Sequence, residues 1–324
     1  MKQSHINDFI QRVQLKKELF SETASIMNIS TSIVERDFWI VWILNKIFSD
    51  NRLNKILILN GGISLSKAFA LTNRSSRNID LILNWNLILQ NNKFKSLEYV
   101  EQEVIDYIRN DLLILISQDL FPLCSCRITN NGFSINIKYP NIFDDNYGIS
   151  LEIIPYNTLL PFGYFKISSF VAQKFPQVFE KNNCSVSSIF PKRTFWEKAI
   201  LLHCEANKPL DSAMPIRCSR HYYDLAMMTQ NEVKDNALAD LGLLKNIVEL
   251  KQKFYPRTWA KYEEAIPGTL KLLPPEFRLD SLKKDYKAMQ NMIFDKYISF
   301  DEIIENLRNL EKEINMKDLQ SNNS

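Results

Sequence analysis

Ile56-Leu57-Ile58-Leu59-Asn60-Gly61-Gly62-Ile63-Ser64-Leu65-Ser66-Lys67-Ala68-Phe69 is the stretch that decides the fold. It opens as an apolar run of strand length and closes on residues that read as a helix, so the glycine pair falls at a strand-to-helix turn. The chain has only 7 glycines in 324 residues. A sequence this sparing with glycine pairs two of them where the backbone must approach another group closely or take φ > 0. A second strand-like run, Asn78-Ile79-Asp80-Leu81-Ile82-Leu83, follows, with Asn78 sixteen residues beyond Gly62. Strand, Gly-Gly, helix, and a strand with alternate polar groups form a frame suited to holding a triphosphate over metal ions.

Outward from that unit, residues 6–28 read as one or two helices, and Ser32-Ile33-Val34-Glu35 has the capping-box pattern that starts a helix running through Trp39 and Trp42 to about Phe48. Residues 92–117 carry helical spacing of Phe94, Leu97, Val100, Val104, Ile105 and Ile108. A hairpin follows, Arg127-Ile128-Thr129 and Phe133 to Tyr139 about the turn Asn130-Asn131-Gly132. Ile149 to Ile154 reads as another strand. From about residue 165 the pattern is helical: Thr194-Phe195-Trp196-Glu197 is a second capping box, and further helices are expected near 218–230, 236–254, 280–294 and 300–315. The expected fold is α+β. A mixed sheet flanked by helices, with N-terminal helices, fills residues 1–165, and a helical domain fills residues 166–324.

Nucleotidyl transfer requires positioning and charge neutralisation more than covalent help. A Gly-Gly turn lets backbone N–H groups reach phosphate oxygens, and the next helix points its N-terminus at the same anion. Ser64 is placed to cap that helix or touch phosphate, and Lys67 to add charge. Residues i and i+2 of a strand share a face, so Asn78 and Asp80 point together, with Glu152 on a neighbouring strand completing the set. Such a cluster suits two divalent ions about 3.5–4 Å apart. Three carboxylates serve them best, and Asn78 stands where one is expected. Taken singly, a Gly-Gly is usually a turn, Glu35 and Glu197 are capping partners, and His203 and His221 are structural.

The bulk numbers narrow the class. A net charge of +3 neither requires nor discourages a nucleic-acid partner. Five cysteines without scaffold spacing point to a reducing compartment, and three histidines leave no zinc set. The polar N-terminus lacks a signal-peptide core, and no apolar stretch approaches membrane-spanning length. The chain reads as soluble and cytoplasmic, with no membrane partner, and its wealth of Ile, Asn and Lys suits an AT-rich bacterial genome.

The ordered set resembles the AbiEii-type nucleotidyltransferase toxins of bacterial abortive-infection and toxin–antitoxin systems. Residues Gly61 to Phe69 are similar to that family's "GGTSLSKAY", Arg74 to Leu81 to "RFSEDIDL", and Glu35-Arg36-Asp37-Phe38-Trp39 to "EKDFW". In the second half, Arg193 to Lys198 with Leu202-His203 is similar to "RTFWEKxxxLH", and Ser219 to Leu225 to "SRHYYDL". The resemblance implies a sheet domain joined to a helical domain, with the active site in the cleft between them. It also implies Mg²⁺ or Mn²⁺, a nucleoside triphosphate substrate, an acceptor such as a tRNA end, and a cognate antitoxin. Carried over by position, Gly61, Gly62 and Ser64 hold phosphate, and Asp80 and Glu152 hold metal. Lys198 then neutralises phosphate charge, and Asp224 is a further acid or that lysine's partner.

The chain departs from the family where Asn78 replaces Asp and Ile63 replaces Thr. An amide offers a carbonyl ligand without charge, which weakens metal-assisted transfer. Two expectations follow, a metal-dependent transferase whose activity Asn78 reduces and a catalytically silent nucleotide-binding module of the same fold; separately, Arg217, Arg220, Lys251, Lys253, Arg257 and Lys261 suit a nucleic-acid binder without nucleotide chemistry.

Overall fold

The computed structural model describes residues 12–84, 97–130, 132–143, 148–155, 161–295 and 297–321. Turn residue Asn131 and the helical positions expected before Leu97 lie outside them. The chain divides into two compact units, one formed by residues 1–70 and 74–189 and the other by residues 71–73 and 190–324.

The first unit is built on a seven-stranded mixed sheet of order β3-β4-β5-β2-β1-β7-β6. Its strands are β1 (Leu57–Asn60), β2 (Asn78–Leu83), β3 (Ser125–Ile128), β4 (Ser134–Lys138), β5 (Ile149–Ile154), β6 (Phe162–Ile167) and β7 (Cys184–Ile189). β2 runs antiparallel to β1 and parallel to β5. Period-two alternation gives β1, β2, β4 and β5 one apolar face: Leu57, Leu59, Ile79, Leu81, Leu151, Ile153, Ile135 and Ile137 are all fully buried.

Helix α1 (Val13–Met27) packs on α2 (Thr31–Ser49), which packs on β7; α3 (Gly61–Ile63), α4 (Leu97–Tyr107), α5 (Leu113–Leu120) and α6 (Phe170–Lys174) are further helices of this unit. α2 is buried almost all round, as a helix enclosed by other elements is, with Val34, Trp39, Ile43, Leu44 and Ile47 all fully buried. Trp39 stacks on Tyr139 at 5.5 Å and meets Phe38 and Trp42 edge-on. Burying each such ring stabilises the fold by about 1.5–3 kcal/mol.

Two sequence expectations change here. The helical pattern expected from about residue 165 begins later, because β6 and β7 still belong to the sheet. β7, Cys-Ser-Val-Ser-Ser-Ile, is poor in strand-forming residues, yet it lies between β1 and β6. Its two buried serines are satisfied internally, with Ser187 Oγ donating to Leu57 O at 2.8 Å and Ser188 Oγ to Leu59 O at 3.2 Å. Neither capping box forms as read. α2 starts at Thr31, and Glu35 is fully buried, accepting the backbone N–H groups of Ile142 and Phe143 at 2.7 and 2.8 Å. Helix α7 (Pro191–Asn207) starts at Pro191, and Glu197 accepts from Arg193 Nε at 3.0 Å one turn away.

The second unit is helical, beginning with α7 (Pro191–Asn207), α8 (Ser219–Met228) and α9 (Val233–Leu238). α10 (Leu241–Phe254), α11 (Glu276–Met289) and α12 (Phe300–Ser321) complete it. The single helix expected over 236–254 is two, because Asp240 caps α10 by accepting from Leu243 N at 3.1 Å. Trp196 is fully buried and donates to Ala237 O at 3.2 Å, tying α7 to α9. Asp285 accepts Arg217 N, Ser219 N and Ser219 Oγ at 2.7, 2.9 and 2.6 Å, which fixes the start of α8. No helix among the described residues is long and apolar enough to cross a membrane.

His203 is structural, as its sequence context suggested. It is fully buried, with Nε2 3.0 Å from Lys261 O and Nδ1 accepting Lys271 N at 3.1 Å. Desolvation is the main cause that lowers its pKa below 6.5, against an opposing hydrogen bond to the Lys261 carbonyl. The unfolded chain therefore takes up this proton first as pH falls. The neutral ring's contribution to stability is complete above 6.5 and is lost as pH drops below it toward the folded value. Urea unfolding compared at about pH 7.5 and about pH 5.5 should show this loss, and His203→Gln should flatten the difference.

Candidate functional site

The first cluster lies on the polar face of the sheet. Asp80 and Glu152 are register partners on the parallel strands β2 and β5. Partners in register point to the same face, with strand backbones about 4.8 Å apart. The row continues on both sides, with Asn60 on β1 opposite Asp80 and Ser134 on β4 opposite Glu152. Asn78, two residues before Asp80, shares the face and is opposite Ser150. Asn78, Asp80 and Glu152 are half-buried, whereas Ile79, Leu81, Leu151 and Ile153 on the other face are fully buried.

The glycine turn closes over this row. Gly61 has φ +73°, and a Cβ there would stand 2.1 Å from Asp80 Oδ2. Glycine is required both by the conformation and by the nearness of the carboxylate. A Cβ on Gly62 would stand 2.7 Å from Arg74 Nη2, so a buried guanidinium lies against the same turn. Arg74 also donates from Nη1 to Ser75 O at 3.2 Å. The turn opens a short helix, Gly61–Ile63, which widens into the π-helical Ser64–Ala68.

Two residues expected at the phosphate are engaged elsewhere. Ser64 is fully buried, with its Oγ 2.7 Å from Ser188 Oγ, and Ser188 in turn lies 3.2 Å from Leu59 O. Its hydroxyl therefore ties the glycine helix to β7. Lys67 is ion-paired with Asp37 of α2, donates to Ser168 O at 3.2 Å, and sits 3.7 Å from the centre of the Phe170 ring. Asp37 Oδ2 accepts Phe170 N at 2.7 Å. Desolvation, opposed by their mutual attraction, raises the Asp37 pKa and lowers that of Lys67. Lys67 is thus the interior brace of the cradle. Lysine's reach from a helix end suggested phosphate; its carboxylate partner, thirty residues earlier, is not visible in local spacing.

The second cluster lies in the helical unit. Lys198 Nζ on α7 is 2.9 Å from Asp224 Oδ2 and 2.9 Å from His221 Nδ1, both on α8. Asp224 is fully buried and Lys198 is nearly so. Of the two roles open to Asp224, the structure shows the lysine's partner.

The donor set on the sheet fits a divalent cation. Two carboxylates and neighbouring amide oxygens on one face are the hard oxygen ligands that Mg²⁺ or Mn²⁺ takes. Two carboxylates balance the charge of one such ion. Among the described residues no group of three or more His, Cys, Asp or Glu is placed to hold a metal, consistent with the amide at Asn78. Asn60 and Arg74 complete the cluster and were not picked out from sequence as site residues. Asn60 ends β1 on the same strand alternation, whereas nothing in residue type alone marks Arg74.

A glycine turn leading out of one strand, packed on carboxylates in register across two others, defines a nucleotidyltransferase-type sheet domain followed by a helical domain. A family model for the nucleotidyl transferase AbiEii toxin of type IV toxin–antitoxin systems matches residues 42–306. The chain belongs to this family of nucleotidyltransferase toxins. Among solved structures it is similar to MenT4, a nucleotidyltransferase toxin from Mycobacterium tuberculosis H37Rv, with a TM-score of 0.54 and 12% identity over 91% of this chain and 87% of that one. At that identity the likeness is one of fold. No curated protein matches the chain significantly.

The brace gives a stability prediction. Lys67→Met alone strands a buried carboxylate and should cost about 3–5 kcal/mol in denaturant unfolding, whereas pairing it with Asp37→Asn should recover a large part of the loss. Additive losses in the double-mutant cycle would show that the pair is not coupled.

Proposed function

We propose that this chain transfers a nucleotide from a nucleoside triphosphate to an acceptor such as a tRNA end, supported by Mg²⁺ or Mn²⁺. The observation that carries the reading is the register of Asp80 with Glu152 beside Gly61. In this reading Asp80 and Glu152 hold the cation, with the Asn78 amide oxygen as a neutral third ligand. When bound, the cation supplies charge neutralisation and polarises the transferring phosphoryl group.

The rest of the work falls to side chains and backbone. Gly61 and Gly62 let the triphosphate lie against the main chain at the start of a helix, and the Arg74 guanidinium beside Gly62 adds positive charge. Lys198 is the second cation serving the triphosphate, oriented by Asp224. Ser64 and Lys67 keep the glycine helix in place from inside the fold. Membership of a toxin family also supports a cognate antitoxin as a regulatory partner and a cytoplasmic, bacterial setting.

A second reading, a nucleotide-binding module that has lost transfer, is favoured by Asn78. One experiment separates the two: incubation with labelled triphosphates, Mg²⁺ and total tRNA, comparing the chain with Asn78→Asp, Asp80→Asn and Glu152→Gln. Transfer predicts labelled acceptor, increased on the order of tenfold or more by Asn78→Asp because an anionic ligand is restored, and abolished by either of the other two changes. Triphosphate binding without transfer by either the chain or Asn78→Asp, even in Mn²⁺, supports the silent module. No labelling and no triphosphate binding by either form overturns both.

A further inference from the structure

Beyond the residues given roles above, the geometry points to His221 as a positioning residue whose Nδ1 lone pair fixes the Lys198 ammonium against Asp224. The inference rests on the reading of Lys198 as a cation that serves the triphosphate. His221 and Asp224 stand three residues apart on α8, a spacing that puts both side chains on one helix face. Lys198 reaches that face from α7, with Nζ 2.9 Å from an oxygen of one and 2.9 Å from a nitrogen of the other.

The chemistry of the donors decides what His221 does. An ammonium has three donors and no acceptor, so a nitrogen this close to it must present a lone pair. A neutral imidazole has only one. Arg220 Nε, which also only donates, directs its N–H at His221 Nε2 at 3.3 Å and competes for that one lone pair. The shorter contact takes the lone pair, which places the ring proton on Nε2 and leaves Nδ1 to accept from Lys198.

A carboxylate alone holds a lysine by charge but poorly by direction, because a four-carbon stem can swing about a point charge. Two acceptors from one helix face define where the ammonium sits. The helix that carries both is itself held, because Asp285 takes two backbone N–H groups and the Ser219 hydroxyl at its start. Lys198 is therefore presented from an anchored acceptor pair.

The test uses the full chain with His221→Ala, His221→Asn and His221→Gln, and Lys198→Ala for comparison. One readout is the rate of reductive methylation of Lys198, followed by peptide mass spectrometry. The other is the affinity of a fluorescent, non-transferable triphosphate analogue in Mg²⁺. Thermal melts confirm that each variant is folded. Asn places its oxygen near the position of Nδ1, whereas Gln places its oxygen nearer that of Nε2.

His221→Ala should speed methylation of Lys198 severalfold and weaken the analogue by about tenfold, the effect of losing one hydrogen bond to a charged group. His221→Asn should restore both, and His221→Gln neither. An unchanged methylation rate in His221→Ala, or an Asn variant no better than Ala, overturns the inference in favour of simple packing. Altered methylation with analogue affinity unmoved by both His221→Ala and Lys198→Ala upholds the positioning of Lys198. That same outcome removes the reading that Lys198 serves the triphosphate.

Discussion

Two carboxylates held in register on adjacent parallel strands are the constraint on which the rest of this chain depends. Asp80 and Glu152 are carboxylates on one face, and their mutual repulsion when both are ionised favours a cation beside them. What enforces it is the opposite side of the sheet. Ile79, Leu81, Leu151 and Ile153 are fully buried there, and a one-residue slip of β2 against β5 would turn both the apolar set and the acidic pair over. The hydrophobic core thus sets the spacing of the polar site. Gly61 confirms how tightly the site is closed, since its backbone occupies space that no Cβ can share with the Asp80 carboxylate.

Around that row, several polar residues with the appearance of catalytic groups serve as braces. Lys67 and Asp37 neutralise one another behind the glycine helix, Ser64 meets Ser188 in the interior, and Glu35 gathers two backbone N–H groups of the loop between β4 and β5. Each of these braces meets a partner in the interior, which offsets the cost of burying it. The groups left facing the carboxylate row in the sheet unit are the glycine backbone and, against Gly62, the Arg74 guanidinium. The same economy holds in the helical unit, where His203 joins three chain segments and Asp285 caps α8.

Much of this was legible in the sequence because it is local. The turn at Gly61-Gly62, the alternation of Asn78 to Leu83 and that of Ile149 to Ile154 all follow from period and composition, and together they place Asp80 and Glu152. What escaped the sequence depends on distant partners or on weak local signals. β7 is serine-rich and is a strand because β1 and β6 flank it. Lys67 looks like a phosphate ligand until Asp37, thirty residues earlier, comes to meet it. Glu35 and Glu197 sit at capping-box spacing, but their helices begin earlier, at Thr31 and Pro191, so neither is in position to cap. The break in the helix at Asp240 depends on a cap that only geometry reveals.

The most direct measurement is Mn²⁺ binding to the unliganded full chain, followed by electron paramagnetic resonance in the chain itself and in its Asp80→Asn and Glu152→Gln variants. If the two carboxylates converge on one cation, the chain binds Mn²⁺ at a single strong site, and either variant alone removes it. Equal Mn²⁺ binding in all three proteins would contradict the account, because it would place the cation away from the paired strands.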